Sequence, residues 1–293
     1  MSRSATYRGR IAPTPSGLLH VGHAATFITA WKRARRRGGK IVLRMEDIDR
    51  ARCRPEYSAA AARDISAIGL DWDEGWGVGG KFAPYEQSLR FGYYWSLVEK
   101  LSDMGFVYPC EASRAEIAAA GKFPERKFDF ASPEKIFPPE MRSAPRRTAD
   151  IENPRFANWR FTVPFGAEIG FCDNNCGQMS FAAGADFGDF LVWRKSGEPS
   201  YELAVVADDA AMEITEAVRG MDLLLSTARQ ILLYRALGFS VPEFFHCPLV
   251  RGGDGAKLSK SSMSKSSENK MLICNLDAAK LRELRDSTQI PQA

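Results

Sequence analysis

The alternation of apolar and polar positions near the start of the chain predicts a strand, a helix and a second strand. The stretch "RGRIAPT" suits a short strand, and apolar residues then recur at helical spacing from Ala24 to Trp31. We expect the glycine pair that begins at Gly38 to end this helix, before "KIVLRMED" forms the next strand. This order favours a parallel sheet with right-handed crossovers.

The middle of the chain combines strong helical patterns with one segment that lacks them. Helices are predicted over "EYSAAAARDISAIGLDW", "QSLRFGYYWSLVEKLSDMGF" and "TARQILLYRALGF". Residues 121–165 hold seven of the 16 prolines and little helical period, which indicates an inserted segment. The apolar run "YELAVVADD" ends in two acids and predicts a buried strand.

Composition limits the class of protein. The chain has 293 residues, of which 45% are hydrophobic, an ordinary value for a globular protein with a proper core. It contains no apolar run long enough for a membrane span and no signal peptide, so we expect a cytoplasmic protein without a membrane partner. The six cysteines are then expected to be mostly free thiols.

Positive charge is concentrated near the N-terminus. Residues 1–50 carry eleven Lys and Arg but three acidic residues, and the basic residues include the cluster "KRARRR". Such an excess suits a phosphate-rich partner. The alternative is that the cluster is only the solvated end of a helix, where its charge complements the helix dipole.

Two stretches far apart in the chain carry residues suited to phosphate chemistry. In "GLLHVGH", His20 and His23 flank Gly22 at the predicted junction of a strand and a helix N-terminus, where nucleotides bind in parallel sheets. The second stretch, "KLSKS" at 257–261, lies in a Gly-, Ser- and Lys-rich region that predicts a loop. A lysine there could bind phosphate as charge develops, although this composition is also typical of a disordered linker.

Taken together, the two stretches resemble the HIGH and KMSKS motifs of the class I aminoacyl-tRNA synthetases. "HVGH" matches the first motif and "KLSKS" matches the second. Similarity to the glutamyl branch of that family extends from about residue 7 to residue 262. It is carried by "RGRIAPTPSGLLHVGHA", "LRMEDIDRAR", "GLDWDEGW", "APYEQSLR", "GFVYPC", "GDFLVWRKSGEPSYELAVVADDAAMEITEAVRGMDLL" and "RQILLYRALGF".

The resemblance implies an α/β fold with the Rossmann-like parallel sheet of class I synthetases. The expected parts are residues 1–104 and 195–240 for the two halves of the catalytic domain, 105–194 for an inserted α+β acceptor-type subdomain, and 241–293 for the "KLSKS" loop and a short C-terminal segment. Only 32 residues follow Ser261, too few for a helical anticodon-binding domain. The chain is therefore most similar to the glutamyl-queuosine tRNA(Asp) synthetases, a family that glutamylates a modified base in the anticodon loop of tRNA(Asp).

The resemblance also implies a glutamate site with cations for two carboxylates and an anion for the ammonium group. Arg10 and Arg219 are the expected carboxylate-binding residues because a guanidinium can bond both oxygens, and which arginine takes which carboxylate stays open. Glu46 is the expected partner of the ammonium group. Further contacts are expected from Ile11, Ala12, Pro13, Thr14 and Tyr201. An ordinary salt bridge is the alternative for each charged residue.

ATP with Mg²⁺ is the second substrate that the resemblance implies. It is expected to lie over Gly22, with His20 and His23 near its phosphates and Lys257 and Lys260 on the "KLSKS" loop. The expected catalytic residues are His20, His23 and Lys260, of which the lysine acts on the α-phosphate. Glutamate and ATP form glutamyl-adenylate and pyrophosphate, and a hydroxyl of the queuosine ring then attacks the acyl carbon. Positioning and charge stabilisation suffice for this reaction, without a protein nucleophile.

The chain departs from the resemblance at a zinc site that many members have. Cys110 matches the first ligand of that site, but Ala112 stands at the second position, and the following "GKFPERKFDFASPEK" supplies no cysteine, histidine or tyrosine. Cys172 and Cys176 lie where the family has no metal ligands. One thiolate cannot hold a tetrahedral zinc ion, so we expect zinc to be absent.

Three other functions remain open from the sequence. A truncated glutamyl-tRNA synthetase that charges tRNA(Glu) is the nearest alternative. Small nucleotidyltransferases share the HIGH chemistry but lack "RMEDID" and the arginine of "AVRG". A non-catalytic RNA-binding paralogue would have lost the two motifs, and this chain retains both. The tail 263–293 matches nothing clearly, and no role is predicted for it.

Overall fold

The computed structural model describes residues 6–126, 128, 134–249 and 272–290. The helices in these ranges are α1 (Val21–Arg36), α2 (Pro55–Ala67), α3 (Phe91–Asp103), α4 (Arg114–Ala120), α5 (Tyr201–Ala211), α6 (Leu224–Leu237) and α7 (Ala278–Ser287). The strands are β1 (Arg8–Ile11), β2 (Lys40–Leu43), β3 (Glu74–Gly75), β4 (Val107–Cys110), β5 (Asn158–Phe161), β6 (Glu168–Asp173), β7 (Gly177–Ala182), β8 (Phe190–Arg194), β9 (Glu198–Pro199), β10 (Glu216–Gly220) and β11 (Glu243–Cys247). Within those ranges, no helix combines the length and the apolar character needed to cross a bilayer.

Two sets of parallel strands, β3-β2-β1 and β10-β11, lie side by side at the centre of the fold, with β1 next to β10. β1 pairs with β2, β2 with β3, and β10 with β11, all in parallel. The two groups of strands meet where the Thr215 amide donates to the Arg8 carbonyl at 2.9 Å. Arg10 in turn reaches the Val218 carbonyl with Nη1 at 2.8 Å, so β1 and β10 run in the same direction. The predicted α/β fold with a parallel sheet is confirmed.

The direction of chain progression reverses between the two central strands. From β1 the chain passes through α1 to β2 on one side, and from β10 it passes through α6 to β11 on the other. Such a reversal leaves a crevice beyond the carboxyl ends of the two strands, and this is where open α/β sheets bind their ligands.

The segment predicted as an insertion contributes to two sheets. β4, β5, β8 and β9 form an antiparallel sheet. β6 and β7 form an antiparallel hairpin, in which Asp173 pairs with Phe244 at the edge of β11. The hairpin therefore ties the inserted segment to the parallel sheet. The division of the chain at residues 104–105 and 194–195 stays a prediction.

The strand predicted over "YELAVVADD" is wrong, because these residues form α5. Ser200 caps the helix by accepting a hydrogen bond from the Leu203 amide at 3.2 Å. α5 packs against α3 and α6, and its apolar residues lie in the largest hydrophobic core. A helix buried on all sides shows a continuous apolar run, and the period of such a short run does not distinguish it from a buried strand.

Much of the N-terminal basic cluster is used inside the fold. Arg33 forms a buried ion pair with Glu216 at 2.6 Å, and Arg35 pairs with Asp73 at 2.8 Å. Arg37 lies 3.6 Å from a carboxylate oxygen of Glu216. These pairs hold the end of α1 against neighbouring elements. The buried Arg33 therefore does not fit the alternative of a solvated helix end.

The described part of the tail packs against α1. Ile273 and Leu281 belong to the hydrophobic core that also contains Ile28 of α1. Lys32 of α1 donates to the Thr288 carbonyl at 2.9 Å. The tail, for which the sequence predicted no role, therefore completes the core on this side of the sheet.

Candidate active site

A cavity of about 500 Å³ lies at the carboxyl ends of β1 and β10. It is lined by most of the residues that the sequence singled out for substrate binding: Arg10, Ala12, Pro13, Thr14, His20, Gly22, His23, Glu46, Tyr201 and Arg219. The fold thus brings residues from distant parts of the chain into one cavity, at the place where a reversed parallel sheet is expected to bind a ligand.

Ile11 does not line this cavity. Its side chain is fully buried in the core beside α1. Successive residues of a strand point to opposite faces, so Arg10 and Ala12 face the cavity while Ile11 faces the core. Any contact between Ile11 and a substrate would therefore have to come from its backbone.

The two histidines of "HVGH" cap the N-terminus of α1. His20 is the N-cap residue, and its Nδ1 accepts a hydrogen bond from the Gly22 amide at 3.1 Å. His23 Nδ1 accepts from the His20 amide at 3.2 Å, which completes a reciprocal capping box. In the neutral form each ring consequently carries its proton on Nε2. This pairing explains why two of the three histidines occur together at a helix start.

Arg10 lies in a network of buried charges beneath the cavity. Its Nε is 3.4 Å from Asp209, which also accepts from Arg44 at 2.7 Å. Arg44 bonds Glu46 at 3.0 Å. Burial raises the pKa of Asp209, but Arg10 and Arg44 outweigh it and the pKa is lowered. Burial also raises the pKa of Glu46, and the two arginines oppose that rise only in part.

The sequence reading missed Arg44, Asp208 and Asp209, which organise this network. Asp208 accepts hydrogen bonds from Arg90 at 2.7 Å and from Gln87 at 2.8 Å. The missed signal was the pair of acids at the end of the apolar run before Met212. Buried carboxylates need cationic or hydrogen-bonding partners, so acids inside such a run indicate a polar cluster.

Arg219 differs from Arg10 because its partners are neutral. It is 4% exposed, and it donates through Nη1 to Gln230 Oε1 at 2.7 Å and through Nη2 to Thr227 Oγ1 at 2.7 Å. Its Nε donates to His246 Nε2 at 3.2 Å. Within residues 6–126, 128, 134–249 and 272–290, no carboxylate forms a salt bridge with it. A buried guanidinium of this kind suits an anionic ligand.

Tyr201 and Asp222 complete the wall of the cavity near Arg219. Tyr201 begins α5, and burial raises the pKa of its hydroxyl, which therefore stays neutral at physiological pH. Asp222, like Leu223, Pro248 and Leu249, lines the cavity although the sequence analysis did not select it. Nothing in the local pattern of "GMDLL" distinguished a cavity residue from a surface acid.

The two lysines predicted to act on ATP, Lys257 and Lys260, lie outside the described residues. The described residues on either side of them adjoin the cavity. Leu249 lines it, and Leu272 forms a bridge with His20. Of the described residues that flank "KLSKS", Leu249 thus borders the cavity and Leu272 lies beside His20.

The cysteines do not form a recognisable zinc site in the described part of the chain. Cys110 is buried in an apolar cluster with Tyr108 and Phe137, against which Ala112 and Ile117 pack. No group of three His, Cys, Asp or Glu side chains suitable for a metal ion occurs among the described residues. The described residues around Cys110 thus do not fit a tetrahedral zinc ion. The absence of zinc from the protein stays a prediction.

Cys172 and Cys176 do not suggest an alternative metal site. Cys172 is exposed on β6. Burial raises the pKa of the Cys176 thiol to about 11, so it stays protonated at neutral pH and is poorly suited to bind a metal.

Comparison with known proteins agrees with this geometry. The family model described as "tRNA synthetases class I (E and Q), catalytic domain" matches residues 6–281. The chain is 48% identical to a glutamyl-Q tRNA(Asp) synthetase of Symbiobacterium thermophilum, over 86% of this chain and 77% of that protein. It is 36% identical to a glutamate–tRNA ligase of the same organism, over 98% of this chain but 56% of that protein.

A solved structure has the same fold. It is a glutamate tRNA ligase from Elizabethkingia meningosepticum in complex with its amino acid, with a TM-score of 0.72 and 28% sequence identity. The match covers 89% of this chain and 53% of that one, so the chain spans about half the length of that ligase. The chain belongs to the family of class I tRNA synthetases for glutamate and glutamine, and it matches their catalytic domain.

Proposed function

We propose that the protein activates L-glutamate with ATP to form glutamyl-adenylate and transfers the glutamyl group to the queuosine base of tRNA(Asp). The observation that carries this proposal is the buried Arg219 guanidinium, which faces neutral partners in the same cavity as the capped N-terminus of α1. One cavity then offers a cation for a carboxylate and a helix start for a phosphate group.

Glutamate fits the distribution of charge in the cavity. Arg219 supplies a positive charge that no ion pair within the described residues neutralises, whereas Arg10 shares Asp209 with Arg44. We therefore assign Arg219 to direct binding of a substrate carboxylate, and Arg10 to a second contact from within its network. Glu46 lines the cavity with a carboxylate that can accept from the ammonium group.

ATP occupies the α1 side of the cavity in this proposal. Gly22 offers no side chain against the nucleotide, and His20 and His23 supply Nε2 donors near the phosphates. Lys260 acts on the α-phosphate and Lys257 supports it, both from the segment whose neighbours Leu249 and Leu272 adjoin the cavity. Mg²⁺ accompanies the nucleotide through its phosphate oxygens.

The reaction has two steps, adenylate formation and glutamyl transfer, and each exchanges one bond for another. An oxygen of the glutamate carboxylate attacks the α-phosphorus, and the bond to pyrophosphate breaks. The queuosine hydroxyl then attacks the acyl carbon, loses its proton and releases AMP. The site contributes position and positive charge to the pentavalent and tetrahedral transition states. A tRNA substrate also implies a cytoplasmic location.

The choice of tRNA(Asp) over tRNA(Glu) rests on similarity. The chain is 48% identical over 259 residues to the glutamyl-Q synthetase of Symbiobacterium thermophilum and 36% identical over 295 residues to the glutamate–tRNA ligase of that organism. Two paralogues from one organism provide a comparison free of differences between species. Charging of tRNA(Glu) is the alternative.

Two assays test the proposal. Glutamate-dependent exchange between ATP and pyrophosphate should appear without RNA, because both substrates of the first step bind the described cavity or its borders. Radiolabelled glutamate should then be transferred to queuosine-containing tRNA(Asp), and neither to unmodified tRNA(Asp) nor to tRNA(Glu). Absence of exchange with folded protein contradicts the activation step, and transfer to tRNA(Glu) alone establishes the alternative.

A further inference from the structure

Behind Arg219, away from the residues assigned to substrate, lies a buried histidine–aspartate pair. His246 on β11 is fully buried, and its Nδ1 lies 2.5 Å from Asp173 Oδ2 at the end of β6. His246 Nε2 faces Arg219 Nε at 3.2 Å. The result is a chain of three side chains, Asp173–His246–Arg219, that links the inserted hairpin to the cavity.

The hydrogen bonds determine the protonation state of this chain. Arg219 Nε can only donate, so His246 Nε2 must be the unprotonated acceptor. The ring proton then lies on Nδ1 and is donated to the Asp173 carboxylate. Burial lowers the pKa of His246 to about 4 despite the opposing effect of Asp173, which agrees with a neutral ring.

The Asp173 carboxylate is itself held in one orientation. Its Oδ1 accepts three backbone amides: those of Asn175 at 3.0 Å, Cys176 at 2.8 Å and His246 at 3.2 Å. Burial would raise the pKa of this carboxyl, but the hydrogen bond to His246 and these amides lower it to about 2. Asp173 is therefore an anion whose second oxygen, Oδ2, is directed at the histidine.

The other two acceptors of Arg219 are oriented by their own partners. Thr227 Oγ1 lies 2.9 Å from the Leu223 carbonyl and 3.1 Å from His246 Nε2, and its single proton can be donated to either acceptor. In both cases Oγ1 accepts from Arg219 Nη2 at 2.7 Å. Gln230 Nε2 donates to Glu202 at 2.9 Å, which turns Gln230 Oε1 toward Nη1. One N–H on each terminal nitrogen then has no partner among the described residues. This pair is what a two-oxygen contact with a carboxylate requires.

We infer that Asp173 and His246 are positioning residues for glutamate binding: Asp173 holds His246 as the Nδ1–H tautomer, and His246 thereby fixes the guanidinium plane of Arg219. The inference rests on the proposed role of Arg219 as a glutamate-binding residue. In the other tautomer His246 Nε2–H would donate to Thr227 Oγ1 at 3.1 Å, and the Arg219 Nε–H would lose its acceptor and face a second donor.

Asp173→Asn is the sharpest perturbation. The three amides that bond Oδ1 require an oxygen there, so the new NH₂ group must take the Oδ2 position and donate to His246 Nδ1. The ring proton then moves to Nε2. A lost hydrogen bond to a charged group costs about tenfold to a hundredfold in affinity. We expect KM for glutamate to rise by that factor while KM for ATP is unchanged.

Two substitutions of the histidine separate positioning from packing. A glutamine at His246 can place an oxygen near the former Nε2 and accept from Arg219, whereas an asparagine reaches only the former Nδ1 and bonds Asp173. We expect His246→Gln to retain more glutamate affinity than His246→Asn. Asp189→Asn is the matched control for Asp173→Asn. Like Asp173, Asp189 is a buried carboxylate of the inserted segment, but its partner is Arg142 and it lies outside the cavity.

The experiment combines exchange kinetics with nitrogen NMR of the histidine rings. The protein has three histidines, so ¹⁵N-histidine labelling gives a spectrum in which loss of signals in His246→Gln assigns that ring. We expect the Nδ1–H tautomer in the wild type and the Nε2–H tautomer in Asp173→Asn. A wild-type Nε2–H tautomer overturns the inference, as does an Asp173→Asn variant with unchanged KM for glutamate.

The controls keep failure of the inference apart from failure of the proposed function. A wild-type protein without glutamate-dependent exchange contradicts the function, whatever the tautomer. If the wild type is active, two results overturn the positioning role because they show a general disturbance of the fold. One is that Asp189→Asn raises KM for glutamate as much as Asp173→Asn does. The other is that Asp173→Asn raises KM for ATP as much as KM for glutamate.

Discussion

Replacement of Arg219 by lysine tests the assignment of the glutamate site most directly. The substitution preserves the positive charge but replaces a planar fork of N–H groups by a single ammonium group. Arg219 uses Nε, Nη1 and Nη2 for its three neutral partners, which leaves one N–H on each terminal nitrogen for a substrate carboxylate. Lysine cannot satisfy the buried partners and also bond both oxygens of a carboxylate.

The expected magnitude follows from the hydrogen bonds that the lysine gives up. One hydrogen bond to a charged group contributes about 1.5–3 kcal/mol, and about 1.4 kcal/mol corresponds to a factor of ten. Arg219→Lys should therefore lower kcat/KM for glutamate by about tenfold to a hundredfold in ATP–pyrophosphate exchange. KM for ATP should change little, since the histidines at the start of α1 are untouched.

A matched control is available outside the cavity. Arg142 pairs with the buried Asp189 at 2.7 Å in the inserted segment, so Arg142→Lys also weakens a partly buried guanidinium contact. It should affect stability without changing KM for glutamate. Equal glutamate kinetics in wild type and Arg219→Lys would show that Arg219 has a structural role, and the assignment of the carboxylate site would be refuted.

Three further predictions concern other parts of the molecule. Lys260→Ala should raise the activation free energy of ATP–pyrophosphate exchange by about 2.7–4 kcal/mol with little change in KM for glutamate, because a contact made mainly in the transition state acts on kcat. Lys257→Ala should have a smaller effect. Equal exchange rates for the wild type and both variants would refute the role of Lys260. The folded protein holds the pKa of His246 at about 4, below its ordinary value of 6.5, so the unfolded chain binds a proton first and stability should fall as pH drops from about 6.5 to about 4. Denaturant titrations should show a weaker fall in His246→Gln, and the same pH dependence in both proteins would contradict the assigned pKa. Elemental analysis should find no stoichiometric zinc, and activity should survive a chelator, because Cys110 lies among apolar side chains. If the protein instead holds about one zinc per chain and loses activity with it, ligands from elsewhere have been missed.

Local patterns were sufficient to predict the elements that carry the nucleotide motif. The helical spacing from Ala24 to Trp31 and the glycines after Arg36 predicted α1 with its C-terminal end. The strand–helix–strand order predicted the parallel pairing of β1 and β2. These features depend on neighbours within a few residues, and the period of apolar positions records them directly.

The sequence was least informative where burial is complete. The run "YELAVVADD" is buried on nearly every side because α5 lies inside the core, and no periodicity of its apolar residues remained to separate helix from strand. The prediction that the Ile11 side chain contacts the substrate failed for a related reason. Ile11 follows Arg10 in a motif associated with the substrate, yet its side chain points into the core. Which face of a strand meets the cavity depends on its neighbours in the sheet.

By itself, the sequence predicted which residues bind glutamate and ATP, through motifs whose chemistry depends on residue type and local spacing. The tertiary structure decided which charged residues of the cavity are neutralised by buried ion pairs. The sequence does not distinguish the roles of Arg10 and Arg219. Folding pairs Arg10 with Asp209, 199 residues away, and gives Arg219 a neutral histidine held by Asp173. Contacts between such distant positions arise only when the sheet brings β6, β10 and β11 together, because electrostatic partnership depends on separation in space.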